Sequence, residues 1–217
     1  MPPLAQAYKG FYNAFGMTFE DIQINGAEAA SKPGKDSGSS SGFINLIVDI
    51  LETLILSLIL FVGINAVSAR IRVDGASMEP TLFSGEYVIV NKLSYRLGQP
   101  QRGDIIVFHF PRDPDQEYIK RIIGLPGDQI NITGGLVYVN GQLIDEPYIN
   151  TQPSYPGNWV VPDGHLFVLG DNRNNSSDSH NWGTVPMEYV IGKAIFVYWP
   201  LAELGVIQHY SVASAAP

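Results

Sequence analysis

Apolar residues are distributed along this chain in two regimes. Between residues 43 and 69 they are nearly continuous, interrupted by Asp49 and Glu52 and followed by Arg70. From Ile71 onward they come in short runs cut by glycine and proline. A bilayer-spanning helix needs about 20 mostly apolar residues, with about 17 as the lower limit. The uncharged stretch 53–69 meets that limit, so residues 43–69 predict one transmembrane anchor. Asp49 and Glu52 then fall near an interface, because a carboxylate at mid-bilayer is costly. Two other readings stay open. One is a buried core helix. The other is a cleaved signal peptide, since Val67-Ser68-Ala69 resembles a small-residue processing site. The 42 mostly polar residues before the run far exceed a signal-peptide leader, which favours an uncleaved anchor. Lys9, Lys32 and Lys35 precede it and Arg70 and Arg72 follow it, so charge sets no orientation.

The second regime predicts strands at 86–91, 104–110, 118–123, 128–132, 136–139, 165–169 and 190–198. Asn140-Gly141 between two apolar runs is a two-residue hairpin signal, and Gly134-Gly135 makes another turn. No helical periodicity is sustained after the anchor, so the fold class is mainly β, an antiparallel β-rich domain behind one N-terminal transmembrane helix. The expected divisions are a tail and Gly/Ser linker at 1–42, the anchor at 43–69, a β-rich domain at 70–203 and a C-terminal tail at 204–217. Residues 31–42 read as flexible coil, and the aromatic residues before them suit a short amphipathic helix, a docking segment or disorder.

Composition narrows the chemistry. The 217 residues allow one domain with a sizeable core plus appendages. With 13 basic and 21 acidic residues the net charge is −8, which argues against nucleic acid as a partner. The absence of cysteine excludes disulfides, thiolate catalysis and cysteine-held zinc. His109, His165, His180 and His209 are scattered without metal-ligand spacing. The run from Asp171 to Asp178 fails as a calcium loop: Arg173 stands at the third position and Ser176 where glycine is required. Within residues 70–203 neither a Gly-x-Ser-x-Gly elbow nor a phosphate-cradling glycine loop occurs. The expectation is no cofactor and no metal.

Two residues remain as candidates for chemistry. On a strand over 118–123, Tyr118, Lys120 and Ile122 share one face and Ile119, Arg121 and Ile123 the other. An ordinary lysine, pKa near 10.4, is almost wholly charged at neutral pH; burial among apolar groups can lower that value by the roughly 2–3 units a general base needs. Alone, Lys120 reads more readily as an exposed lysine on a half-wet strand. Ser77 follows Gly75-Ala76 and precedes Pro80, a setting that presents its hydroxyl and backbone N–H together at a turn. The first would attack a carbonyl and the second would hold the oxyanion. Alone, this too is a common small-residue turn. The polar run from Gly170 to Gly183 reads as a long surface loop, or as a support for a catalytic amine.

Four segments together resemble the bacterial type I signal peptidases, or leader peptidases. They are Ser77-Met78-Glu79-Pro80-Thr81-Leu82, Arg102-Gly103-Asp104-Ile105-Ile106-Val107-Phe108, Tyr118-Ile119-Lys120-Arg121 through Asp128, and Gly170 through Trp182-Gly183. The resemblance implies Ser77 as nucleophile and Lys120 as general base. It implies that Ser176 orients the amine by a hydrogen bond and that Asp178 supports the site from behind. It further implies a signal peptidase/LexA-like β domain outside the cytoplasm, resting on membrane lipid. The implied partners are signal peptides of exported preproteins, cut after Ala-x-Ala. Met78 is expected to help dock the site against lipid.

This chain departs from the family pattern in three ways. Gly75 stands where many relatives carry a serine that helps the oxyanion hole, leaving the Ser77 amide as the main donor. The last box reads Asp178-Ser179-His180, where an arginine usually ends it; with Asn174-Asn175 and Tyr198-Trp199-Pro200, it is similar to the cyanobacterial and thylakoidal branch. The tail before the anchor resembles nothing in the family, and one anchor is visible where some relatives have two. Cell membrane and thylakoid membrane are both open. So are three activities: a general signal peptidase, a dedicated or self-cleaving Ser/Lys peptidase, and a non-catalytic signal-peptide receptor.

Overall fold

The computed structural model describes residues 39–210, with side chains from Gly42 on. The aromatic-rich part of the expected tail lies outside the described residues. A single helix runs from Ser39 to Val67, and its apolar portion Gly42–Val67 has a mean hydropathy of 2.4. Every side chain from Gly42 to Ile64 is exposed, leucines and isoleucines included. Beyond Asp49 and Glu52 near its start the helix carries no charge on any face, and such a helix, apolar nearly all round, suits a membrane span. The buried core helix is thereby overturned. The helix also takes in Ser39-Ser40-Ser41-Gly42, which the sequence assigned to the linker. Adding residues to an existing helix costs far less than starting one, so it extends past the apolar run.

The strands after the helix are β1 (Ser68–Arg72), β2 (Tyr87–Asn91), β3 (Ile105–Phe110), β4 (Asp113–Gly124), β5 (Gln129–Thr133), β6 (Leu136–Val139), β7 (Gln142–Leu143), β8 (Gly157–Val160), β9 (His165–Leu169), β10 (Val185–Pro186), β11 (Val190–Trp199) and β12 (Gly205–Val206). One sheet has the order β1-β2-β11-β3-β4-β9-β10 with β12 on β11, and a smaller one the order β7-β6-β5-β8. All pairings are antiparallel. The expected mainly antiparallel β fold is therefore what the chain adopts. Asn140 and Gly141 both have positive φ, 53° and 80°, which closes the β6–β7 hairpin with the twist its strands require.

The large sheet is covered on both faces, which explains the unbroken run Ile105-Ile106-Val107-Phe108 in β3. Ile105 and Val107 pack with Met78, Leu82 and Val90, while Ile106 and Phe108 pack with Ile122, Val168 and Trp182. A third cluster joins the small sheet (Ile130, Ile132, Val137) to Ile123, Phe167 and Leu169.

The fold differs from the sequence reading at several edges. β1 starts directly after the helix at Ser68, and β8, β10 and β12 were not expected, being two to four residues long. Short helices at Ser94–Leu97 and Ser179–Trp182 span about one turn, too little for periodicity to show. Residues 204–210 belong to the domain rather than to a tail. β12 pairs with β11, Ile207 is buried, and the His209 ring accepts the Ile105 amide at 3.2 Å.

Candidate active site

The serine sits in a turn set by its neighbours' backbones. Gly75, at φ +87°, donates its amide to Ser84 Oγ at 3.2 Å. The amides of Thr81 and Leu82 both return to the Met78 carbonyl, at 2.9 and 3.0 Å, curling the chain. That curl drives the Met78 side chain into the core, where it is 0% exposed against Leu82 and Val90. Met78 therefore roots the turn and cannot meet lipid, which corrects the sequence expectation. Asn172 fixes the turn from the opposite side. Its amide donates to the Ser77 carbonyl and its side chain to the Ala76 carbonyl, both at 3.0 Å. The Ser77 N–H donates to no group among the described residues and is free for an incoming oxygen.

Lys120 reaches this turn from β4. It is 4% exposed, and its Nζ lies 2.8 Å from Ser77 Oγ and 2.9 Å from the Ile119 carbonyl. The Tyr118 ring centroid is 5.3 Å from the same nitrogen. Burial lowers the amine's pKa from 10.5 to about 8, against the opposing pull of the Asp178 and Asp171 carboxylates. One pH unit below that value about a tenth of the lysine is neutral, whereas an exposed lysine would be charged almost entirely. A neutral amine beside a hydroxyl can take its proton. The pair opens onto a cavity of about 720 Å³ walled by Arg70, Ile71 and Arg72 of β1 and by residues 115–120 of β4.

Ser176 does not behave as expected. Its Oγ is buried and has no hydrogen-bond partner among the described residues, so the expected bond to the lysine is not formed. Its side chain packs on Gly170, where an added β-carbon would overlap both Ser176 and the Ser77 carbonyl. Asp178 is close enough for its charge to act on the amine. Fully buried, it accepts the Gly170 amide at 3.0 Å on Oδ2 and faces His180 Nδ1 at 2.7 Å on Oδ1. The arginine that usually ends this box is replaced by a histidine that still reaches the carboxylate.

Sequence reasoning missed the assembly that joins these segments. Arg121, next to the lysine but on the opposite face, grips Asp171 with Nε–Oδ1 at 2.8 Å and Nη2–Oδ2 at 2.6 Å. Thr81 of the serine turn donates to the same carboxylate, and Arg121 Nη1 donates to the Gly103 carbonyl at 2.9 Å. Lysine strand, serine turn and polar loop are thus bound to one ion pair. Beyond it, Arg173 pairs with Glu146, and Tyr148 lies under the Arg121 guanidinium at 3.9 Å. The available signal was an arginine inside an apolar strand, which at 0% exposure must find a carboxylate.

Residues 46–199 match the family model described as signal peptidase, peptidase S26. The chain is 44% identical over 171 residues to the probable signal peptidase I-2 of Synechocystis, covering 75% of this chain and 78% of that protein. It is 44% identical over 186 residues to the signal peptidase I of Leptolyngbya laminosa, covering 82% and 88%. A third relative, the signal peptidase I of Bacillus caldolyticus, is 45% identical over 146 residues, covering 60% and 79%.

Proposed function

The chain belongs to the signal peptidase family, peptidase S26, and we propose that it cleaves signal peptides with a Ser77/Lys120 dyad, after Ala-x-Ala. It is a membrane-anchored signal peptidase I enzyme, a protease acting on the signal peptides of preproteins. The observation that carries the dyad is a buried amine, lowered to about pKa 8, standing 2.8 Å from a hydroxyl.

Neutral Lys120 accepts the Ser77 proton as Oγ attacks the scissile carbonyl, so no full alkoxide has to form. The Ser77 N–H holds the developing oxyanion, its geometry kept by the Asn172 bonds to the carbonyls on either side. The protonated lysine returns the proton to the leaving amine, and the acyl-enzyme forms. The same amine, neutral again, activates the water that releases the acyl group. Asp178 and Asp171 keep the charged form within reach, so that the proton can be taken up at all. Ser176 fills the space behind Gly170 in this reading and holds no hydrogen bond to the amine.

An extended peptide fits the site. β1 ends its sheet, so one edge of its backbone is open to another strand beside the cavity. Ile71 and Ile119 offer an apolar floor suited to small side chains. Lipid contact falls to an exposed apolar patch. Tyr87 and Trp199, register partners on β2 and β11, are exposed side by side, and Phe83, Leu201, Leu204 and Val206 are exposed as well. Such aromatic groups favour a membrane–water interface. We read residues 68–210 as the peptidase domain, held on the extracytoplasmic face of a cell or thylakoid membrane. The net charge of −8 gives nucleic acid no place in this reading.

The test uses the full chain in detergent with a fluorogenic peptide carrying Ala-x-Ala. Wild type cuts after the second alanine, while Ser77→Ala, Lys120→Ala and a peptide with leucine at that position give no product. Binding without cleavage by the wild type identifies a receptor, and cleavage by Lys120→Ala sinks the dyad.

A further inference from the structure

His180 occupies a position that the dyad does not explain. It is the second residue of the helix Ser179–Trp182, whose N-cap is Asp178, and the cap accepts the His180 amide at 3.3 Å. The ring turns back on the same carboxylate, Nδ1 to Oδ1 at 2.7 Å. Since the carboxylate accepts, Nδ1 carries the proton. Tyr155 then stacks flat against the imidazole, 3.7 Å between ring centroids and 10° between planes. The Tyr155 hydroxyl is buried and bonds to nothing among the described residues, so the ring's face is what it contributes. The imidazole is therefore held from two sides, by a carboxylate and by an aromatic plane.

Asp178, in turn, reaches the reacting groups. One of its oxygens holds the Gly170 amide, and Gly170 lies against the Ser77 carbonyl. Its charge acts on the Lys120 amine, as does that of Asp171. The other charges near Tyr155 are Arg173 and Glu146. We propose that His180 is a positioning residue: clamped by Tyr155, it fixes the Asp178 carboxylate behind Lys120 and sets how strongly that charge is felt by the amine. The imidazole holds the carboxylate by one hydrogen bond, whereas the permanent cation of an arginine in the same place would cancel part of the carboxylate's field at the lysine. The inference rests on the Ser77/Lys120 reading and goes beyond it to a residue that touches neither member of the pair.

The experiment is the pH dependence of kcat/KM on the Ala-x-Ala peptide, with melting curves for every variant. His180→Arg is expected to move the acid limb down by about half a pH unit or more, because a fixed cation next to Asp178 favours neutral lysine. His180→Leu is expected to lower kcat about ten- to a hundredfold with KM nearly unchanged, as the carboxylate loses its hold. His180→Asn, which returns a hydrogen-bond donor to the carboxylate, recovers most of that loss. Tyr155→Phe behaves as wild type and Tyr155→Ala follows His180→Leu. The proposal is overturned if folded His180→Arg keeps the wild-type limb, or if His180→Asn does no better than His180→Leu. Activity that survives Lys120→Ala overturns the dyad itself, and this inference with it.

Discussion

Arg121 and Asp171 are both fully buried and meet through two hydrogen bonds, Nε–Oδ1 at 2.8 Å and Nη2–Oδ2 at 2.6 Å. The pair lies one residue along β4 from Lys120 and also receives Thr81 of the serine turn. It joins the two chain segments that carry Ser77 and Lys120. Removing one partner would strand the other charge in a dry interior. Arg121→Met is expected to cost about 3–5 kcal/mol in denaturant unfolding of the detergent-solubilised chain. Arg121→Lys should rescue little, since an ammonium cannot repeat the two-pronged contact. A loss under about 1 kcal/mol would contradict this account.

The cleavage rate should follow the neutral fraction of Lys120. With the amine at about pKa 8, kcat/KM is expected to fall about tenfold per pH unit below pH 7 and to level off above pH 9. Steady-state assays from pH 6 to 10 measure this. A flat profile down to pH 6 would mean another group takes the proton.

Burying that lysine also has a cost in stability, and its sign is fixed. The folded value of about 8 lies below the unfolded 10.5, so between these pH values the unfolded chain binds more protons. This group's penalty is complete below pH 8 and fades as pH rises towards 10.5. Lys120→Met should therefore stabilise the protein at pH 7, by up to about 3 kcal/mol, and the gain should shrink by pH 10. Melting temperatures at the two pH values provide the comparison.

Gly170 lies against the Ser77 carbonyl and the Ser176 side chain. An added β-carbon would overlap the Ser77 carbonyl oxygen and the Ser176 side chain. Gly170→Ala is expected to reduce kcat/KM by about a hundredfold or more, because displacing the serine turn separates hydroxyl from amine. Adding Ser176→Gly should restore only part, since the backbone oxygen stays in the way. Full restoration would show that the side chain alone was the obstacle.

Val67-Ser68-Ala69 looks like a processing site, yet in the folded chain it leads into β1. Ser68 to Arg72 pair residue by residue with β2, Ala69 opposite Val90, and Ala69 packs on the core. A peptide locked in a ladder cannot also extend through the cavity. Intact mass after prolonged incubation should show no product beginning at Arg70. Its appearance in the Ser77→Ala variant as well would point to a contaminating protease, and its appearance only in wild type would refute the protection.

Much of the fold could be read locally because alternation and breaks are local. β6 and β9 fall where the pattern placed them, and β3, β5 and β11 differ by a residue or two. β4 runs further, from Asp113, because its exposed start is held through the pairing of Asp113 with Phe110 and of Glu117 with His109 rather than by burial. β12 escaped notice because two residues carry no period, and only the partner strand β11 makes them a strand.

Sequence alone determined the apolar helix, the β-rich domain behind it and the two segments bearing Ser77 and Lys120, since each is written in neighbouring residues. Only the tertiary structure decided that these two, 43 positions apart, stand 2.8 Å from each other. It also turned Met78 into the core, left Ser176 Oγ without a hydrogen bond among the described residues, joined Arg121 to Asp171 and brought Tyr155 onto His180. The reason is physical: a lysine becomes a base only when water is excluded from it, and the groups that exclude it arrive from distant parts of the chain.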